Sequence, residues 1–437
     1  MRSTHVPVVC LVMAAVLGAG APAEGWPGAT GTSGSPPRIV VWKNDGPLPL
    51  PVGEEVPVGS MHLPQGSWAV FAKLGVIVTQ STGNNGKIRC RLVAGADADR
   101  SAHTLYDPSA TDSRLVLGLE IAHRFSAPGG GTARLTCRAT VEDVEASFVR
   151  LAAIRAGRLT TIALGSGTST TTGQGSPIVV AARRRGAVPV PSGAFGSMAT
   201  IHLSHGGWAI FAKLDVDRSS GTSPSVLNCR LAAGGDFDQV ELGVGSAPPP
   251  PDRPIPLMGM VHTFDDQQGG PVELRCRRSG APLEASFIRL TAIKAGRLTN
   301  DPIGPAAATT TGSGVPRIVS GYLNGPEPVP ASDQFSRIAR LHVTGGSWLV
   351  LAKAYVGRDR GTGEDFVDCR LFAGGDRDEV NLYLNDRQDV AFHLHHAFPP
   401  EGGVVTMACR SLHGNGGNDV RFVRITAVRA GTLTVAN

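Results

Sequence analysis

Apolar and polar positions alternate along most of this 437-residue chain, the two-residue period of strands with one buried face. The alternation is clearest in Met61-His62-Leu63, Ile201-His202-Leu203 and Leu341-His342-Val343. It changes in the stretch Gly66-Ser67-Trp68-Ala69-Val70-Phe71-Ala72-Lys73. There Trp68, Val70 and Ala72 point one way and Ala69, Phe71 and Lys73 the other, so both faces are apolar up to the lysine, which predicts a strand in the middle of a sandwich. The same stretch returns around Trp208 and Trp348, 140 residues apart both times, which predicts three copies of one domain.

Each copy opens on a β-branched strand (Pro37-Arg38-Ile39, Pro177-Ile178-Val179, Pro316-Arg317-Ile318) and closes on a matched segment such as Phe148-Val149-Arg150-Leu151. Eight or so short strands per copy with no amphipathic helix predict an all-β protein of three tandem antiparallel β-sandwich, jelly-roll-like domains. The expected boundaries are 37–159, 177–298 and 316–437, with Thr- and Gly-rich linkers at 160–176 and 299–315. Loops at 74–89, 100–116, 239–256 and 379–390 are where the copies differ, and where binding would differ.

Composition changes the picture in three places. Residues 1–23 carry Arg2, an apolar core from Val6 to Gly18 and the small-x-small site Ala21-Pro22-Ala23, so they read as a signal peptide, followed by a flexible leader over 24–36. The protein is therefore expected to be secreted, with no membrane span once the signal is removed. Of seven cysteines, Cys10 lies in that apolar core, and the other six fall two to a repeat: Cys90 and Cys137, Cys229 and Cys276, Cys369 and Cys409. An even count in an exported chain implies disulfides, and the repeat favours pairing within each copy. The net charge of +5 is weak, and Arg183-Arg184-Arg185 is the one basic run, without aromatic interleaving, which argues against nucleic acid.

The order Gly-x-Trp-x-Val-x-Ala-Lys in a central strand, with the closing strand Ala146-Ser147-Phe148-Val149-Arg150-Leu151, resembles the C1q/TNF-like jelly roll. It is also similar to small exported repeats of actinobacterial type. The resemblance covers each repeat and implies the fold and threefold packing. It carries over no functional residue, and the chain lacks the collagen-like Gly-x-y stalk of the C1q family.

Enzymatic motifs are missing: the chain has no Gly-x-Ser-x-Gly, no His-Glu-x-x-His and no phosphate-binding glycine loop before a helix. No enzyme activity and no cofactor are expected. The pairs Asp97/Asp99, Asp236/Asp238 and Asp376/Asp378 place two carboxylates on one face after a turn, a partial Ca²⁺ site. Calcium takes six to eight oxygens, so ligand count favours a solvated turn. His123 and His396 alternate with core residues and read as core histidines with one hydrogen-bond partner, while His62, His202 and His342 fall on the opposite, exposed face. His393-Leu394-His395-His396 offers at most an adventitious Zn²⁺ or Ni²⁺ patch. Lys73, Lys213 and Lys353 read as strand-end residues snorkelling to solvent.

These readings lead to a non-catalytic exported structural or interaction protein, a monomer with pseudo-threefold packing whose partner is a protein or a cell-surface polysaccharide. The alternative is a carbohydrate- or cell-wall-binding array acting by avidity, with Ca²⁺ assistance.

Overall fold

A computed structural model describes residues 36–78, 86–105, 113–165, 168–219, 223–244, 253–303, 309–358, 365–384, 388–412 and 417–436. The expected signal peptide and nearly all of the leader lie outside the described residues. The first repeat runs β1 (Arg38–Asn44), β2 (Leu48–Pro49), β3 (Val56–Leu63), β4 (Gly66–Val78), β5 (Gly86–Ala94), β6 (Asp97–Leu105), β7 (Ser113–Phe125), β8 (Gly131–Ala139) and β9 (Val144–Ala156). One sheet has the order β1-β9-β4-β7 and the other β3-β8-β5-β6. That is the double Greek key of a jelly roll. The second and third repeats repeat both orders strand for strand, so the expected all-β sandwich class holds.

The two sheets of a repeat face different worlds. Inside repeat 1, Trp68, Val70 and Leu74 of β4 meet Met61, Leu63, Ile88, Leu92 and Leu135 from the other sheet. Cys90 and Cys137 sit opposite each other on β5 and β8 and are disulfide-bonded within this core, as are Cys229 with Cys276 and Cys369 with Cys409. Disulfides persist in oxidising compartments, which fits a location outside the reducing cytosol. The outer face of the β3-β8-β5-β6 sheet is polar and exposed, including His62, with His202 and His342 exposed likewise in the other repeats.

The far side of the β1-β9-β4-β7 sheet is also buried, against the other repeats. Ala69 and Phe71 join Ala209, Phe211, Leu349 and Leu351 in one cluster, and the rings of Phe71 and Phe211 meet edge to face at 5.6 Å. This explains why the tryptophan strand is apolar on both faces. Packing between repeats 1 and 2 is close enough that a Cβ on Gly118 of β7 would lie 2.1 Å from the Pro256 carbonyl oxygen, so only glycine fits there.

The segments expected as flexible linkers are strands. β10 (Arg158–Ala163) runs parallel to Ile178–Arg184, the opening strand of repeat 2, and pairs with β11 (Ser169–Gly173). Arg297–Pro302 joins the opening strand of repeat 3 in the same way. Thr432–Ala436 then joins β1 of repeat 1, with Arg38 opposite Thr432 and Trp42 opposite Ala436. Each repeat thus extends the inner sheet of the next, and the third extends that of the first. The β-branched Thr and Ile residues of these segments fit a half-buried ladder, which their Gly/Thr composition masks. The stretches read as variable loops are likewise shorter, since 74–78, 86–89, 100–105, 113–116, 239–244, 253–256, 379–384 and 388–390 are strand; the rest of those loops lie outside the described residues.

Candidate functional site

The chemistry of the molecule gathers where the repeats meet. The second aspartate of each Asp-x-Asp motif is almost fully buried: Asp99 is 1% exposed, and Asp238 and Asp378 are 0%. One carboxylate oxygen accepts a hydrogen bond inside its own repeat, from the backbone N–H of Glu120 to Asp99 (2.9 Å), of Gly259 to Asp238 (3.0 Å) and of His393 to Asp378 (2.9 Å). The carboxylate then meets a lysine and an arginine from a neighbouring repeat.

Lys73 of repeat 1 donates to Asp378 Oδ1 of repeat 3 at 2.8 Å and to the Glu379 carbonyl at 3.0 Å. Lys213 of repeat 2 lies 3.1 Å from Asp99 of repeat 1 and donates to the Arg100 carbonyl at 2.7 Å. Lys353 of repeat 3 lies 3.1 Å from Asp238 of repeat 2, at an angle short of a hydrogen bond, and donates to the Gln239 carbonyl at 2.9 Å. Arg150, Arg289 and Arg424 come from the same point of each closing strand and reach Asp378, Asp99 and Asp238 at 3.5, 3.1 and 3.7 Å. The three clamps close a cycle.

The lysines do not snorkel. Lys73 is fully buried, and that burial lowers its pKa although Asp378 pulls the other way. Beside the clamps, Phe148, Phe287 and Phe422 each hold a left-handed backbone (φ 47°, 50° and 47°) at the bulge of the closing strand. This turns the Phe148 and Phe422 rings toward Lys73 (5.8 Å) and Lys353 (5.9 Å), and the Phe287 ring toward Arg100 (3.8 Å). Left-handed phenylalanine costs about 1–3 kcal/mol, which the surrounding sheet must override.

The first aspartate of each motif takes the core histidine. Nδ1 of His123 lies 2.9 Å from Asp97, of His262 2.8 Å from Asp236, and of His396 2.9 Å from Asp376. A cation from the following repeat in the cycle caps two of these pairs: Arg183 pairs with Asp97, and Lys43 with Asp376 at 3.3 Å. Burial raises the pKa of both carboxyls, but the hydrogen bonds from histidine and cation outweigh it and hold both below the usual range. Five of the six carboxylates are engaged by a lysine or arginine, and the sixth, Asp236, by His262. Among the described residues, no three His, Cys, Asp or Glu side chains converge as a metal set.

The third capping position differs. Tyr322 stands in register with Arg183 and Lys43, so Asp236 has no cap, and a cavity of about 150 Å³ opens between repeats 2 and 3. Asp236, Phe237, Asn300, Tyr322, Asn324 and Arg424 line it. The corresponding cavity between repeats 1 and 2, where Arg183 projects, is about 20 Å³.

The clamps also differ in what lies beside them. Burial, with the nearby Asp99 charge, pushes Glu120 up to about 8, and burial pushes Asp215 up to about 6 and Asp389 up to about 8. His393, in register with Glu120 and Gly259, is pushed down to about 3 by burial and by Lys73 and Arg150. His393 and His396, which could at most have formed an adventitious metal patch, point to opposite faces of their strand, one to the clamp and one to Asp376.

Sequence reasoning singled out the lysines and aspartates but assigned them to solvent, and gave Arg150, Arg289 and Arg424 no role. What could have found the clamp is a charged residue recurring in register on an otherwise apolar face, since charges are almost never buried unpaired.

No family model matches the chain, and no curated protein matches it. Among solved structures, one described as the triple jelly roll fold and turret assembly in an archaeal virus aligns over 92% of this chain and 92% of its own, at 8% identity and TM-score 0.18. The tandem CBM22 domain of Paenibacillus barcinonensis Xyn10C aligns over 56% of this chain and 93% of its own, at 13% identity and TM-score 0.16. PNGF-II aligns over 79% of this chain and 99% of its own, at 6% identity and TM-score 0.24.

Proposed function

We propose that this protein is a non-catalytic, exported structural or interaction protein whose three jelly-roll repeats act as one single-chain pseudo-trimer. The observation that carries this reading is the cycle of buried clamps, Lys73 to Asp378, Lys213 to Asp99 and Lys353 to Asp238. A head-to-tail contact that closes after three copies needs no fourth partner, which fits a monomer. The C1q/TNF-like resemblance has the same threefold logic. The buried acids and bases are spent on holding repeats together, which supports a role without catalysis.

The test is small-angle scattering combined with thermal unfolding of the purified protein. A globular profile and one cooperative transition support the reading. A profile of three extended beads, or three separate transitions, would sink it.

One observation favours a second reading, recognition of an anionic cell-surface polysaccharide. Arg89, Arg91, Arg134 and Arg138 are all exposed on the outer sheet of repeat 1. In repeat 3 the same sheet pairs Arg410 with Asp368 and Arg370 with Glu379. A face rich in exposed arginine attracts polyanions in a salt-dependent way. Retention on an anionic polysaccharide that falls with ionic strength, and is lost on replacing these four arginines by glutamine, supports it; retention indifferent to both rules it out.

A further inference from the structure

The three capping positions form an experiment the chain has carried out on itself. At two junctions an aspartate-histidine pair is met by a basic side chain: Arg183 on Asp97 and Lys43 on Asp376. At the junction of repeats 2 and 3 the equivalent residue is Tyr322, and the Asp236 side chain, 55% exposed, pairs with His262 while Arg424 acts on it through space. The space Arg183 occupies at one junction is at the other a cavity of about 150 Å³, near the volume that holds benzene in an engineered protein cavity.

The walls suit a cation. Asp236 supplies the charge, and Asn300, in register with Thr161, adds Oδ1, a buried acceptor without a hydrogen-bond partner. Phe237 and Tyr322 add aromatic rings, which attract cations; one face of each already carries an arginine, Arg230 at 5.2 Å and Arg424 at 5.7 Å, so a ligand would use what remains of them. Arg424, also in the wall, donates its guanidinium hydrogens to the carbonyls of Phe237, Val423 and Leu323 and to Asn324 Oδ1, faces Asp238, and lies 5.7 Å from the centre of the Tyr322 ring within electrostatic reach of Asp236, so an incoming cation would share these groups with it. Its counterpart Arg289 lines the cavity beside Arg183, so a second cation next to the clamp arginine is what the fold already accommodates.

We propose that the cavity between repeats 2 and 3 binds the guanidinium or primary ammonium head of an organic cation, with Asp236 as its counter-ion and Asn300 Oδ1 as a second acceptor. One chain carries one such site, because Arg183 and Lys43 fill the other two positions.

Calorimetric titration of the purified protein tests this with methylguanidinium, methylammonium and the neutral isostere N-methylurea. The expected result is one site per chain with a Kd of about 1 mM or tighter for the cations, and binding of the urea at least about tenfold weaker. Asp236→Asn should weaken the cations by about tenfold or more. Tyr322→Arg installs the cap of the other junctions, so it keeps the fold even if Asp236→Asn does not. It should abolish binding and raise the Tm. N-acetylarginine N-methylamide distinguishes two sources: binding equal to methylguanidinium supports a site for a free cation, and tighter binding a site for an arginine side chain. Equal binding of cation and urea, a stoichiometry of three, no saturation by about 50 mM, or cation affinity unchanged in Tyr322→Arg would each overturn the proposal.

Discussion

The junction between repeats 1 and 2 and the junction between repeats 2 and 3 use one plan and finish it differently. Both bury an aspartate under a lysine and an arginine from the next repeat. The first is capped by Arg183 and carries Glu120 and Asp215 in its interior. The second is lined by Tyr322, has Gly259 where the first has Glu120, and carries Asp389. The difference teaches that assembly and recognition are separable here. The clamp is retained in every copy, while the shell around it is free to become a plug or a cavity.

The largest effect should come from breaking a clamp. Asp238→Ala strips Lys353 and Arg424 of their paired carboxylate, and Asp99→Ala does so for Arg289 while Lys213 keeps Asp215 at 3.6 Å; each should cost about 3–5 kcal/mol of unfolding free energy, read by denaturant titration. Equal losses would confirm that the clamps are equivalent; a small loss at either would assign the cohesion of that junction to apolar contacts. Replacing Cys90 and Cys137 together by alanine should cost about 4 kcal/mol in the chain-entropy model, with the junctions intact by scattering.

The acids beside the clamps sharpen the comparison through pH. Glu120 has a raised pKa of about 8 in the fold, so folding retains a proton that the unfolded chain releases near the ordinary carboxylate pKa of 4.5. Its contribution is therefore full at low pH and is lost as pH rises from about 4.5 to 8. Glu120→Gln should match the parent at pH 4 and exceed it by a few kcal/mol at pH 9, the order that a shift of this size implies. Asp389→Asn should do the same for the other junction. A variant less stable than its parent at pH 9 would refute the buried, protonated carboxyl.

The smallest effect is the most specific. Arg183→Tyr should open the first junction, which still has Glu120 and Thr161 where the second has Gly259 and Asn300, cost about 1 kcal/mol for the lost cap, and add a second methylguanidinium site per chain by calorimetry. Loss of stability without a new site would show that the site needs Asn300 or Gly259 as well as an absent cap.

Much of the fold could be read from residues and little of the site. Alternation and the 140-residue return of tryptophan expose the sandwich repeats. The apolar second face of β4 was visible too, though its cause, a neighbouring repeat, was not. Lys73 looks like a strand end because its partner Asp378 lies 305 residues away, and no local pattern reaches that far. Asp97-Ala98-Asp99 looks like a solvated turn because turn chemistry is local, whereas burial of Asp99 depends on Lys213 and Arg289. Strands β10 and β11 were hidden by composition, since a Thr- and Gly-rich run meets the description of a linker until a partner edge is supplied.

The pairing of Thr432–Ala436 with β1 also dictates the order in which the molecule can be put together. The strand from repeat 1 to repeat 2 joins segments about 20 residues apart, whereas this one must bring together segments about 400 apart. Closing the longer loop costs roughly 2.7 kcal/mol more in chain entropy. Repeats 1 and 2, and 2 and 3, can therefore dock as soon as each pair exists, while the seam between 3 and 1 forms late. The seam is also the natural place for the circle to come undone, and the first to exchange with a second chain at high concentration.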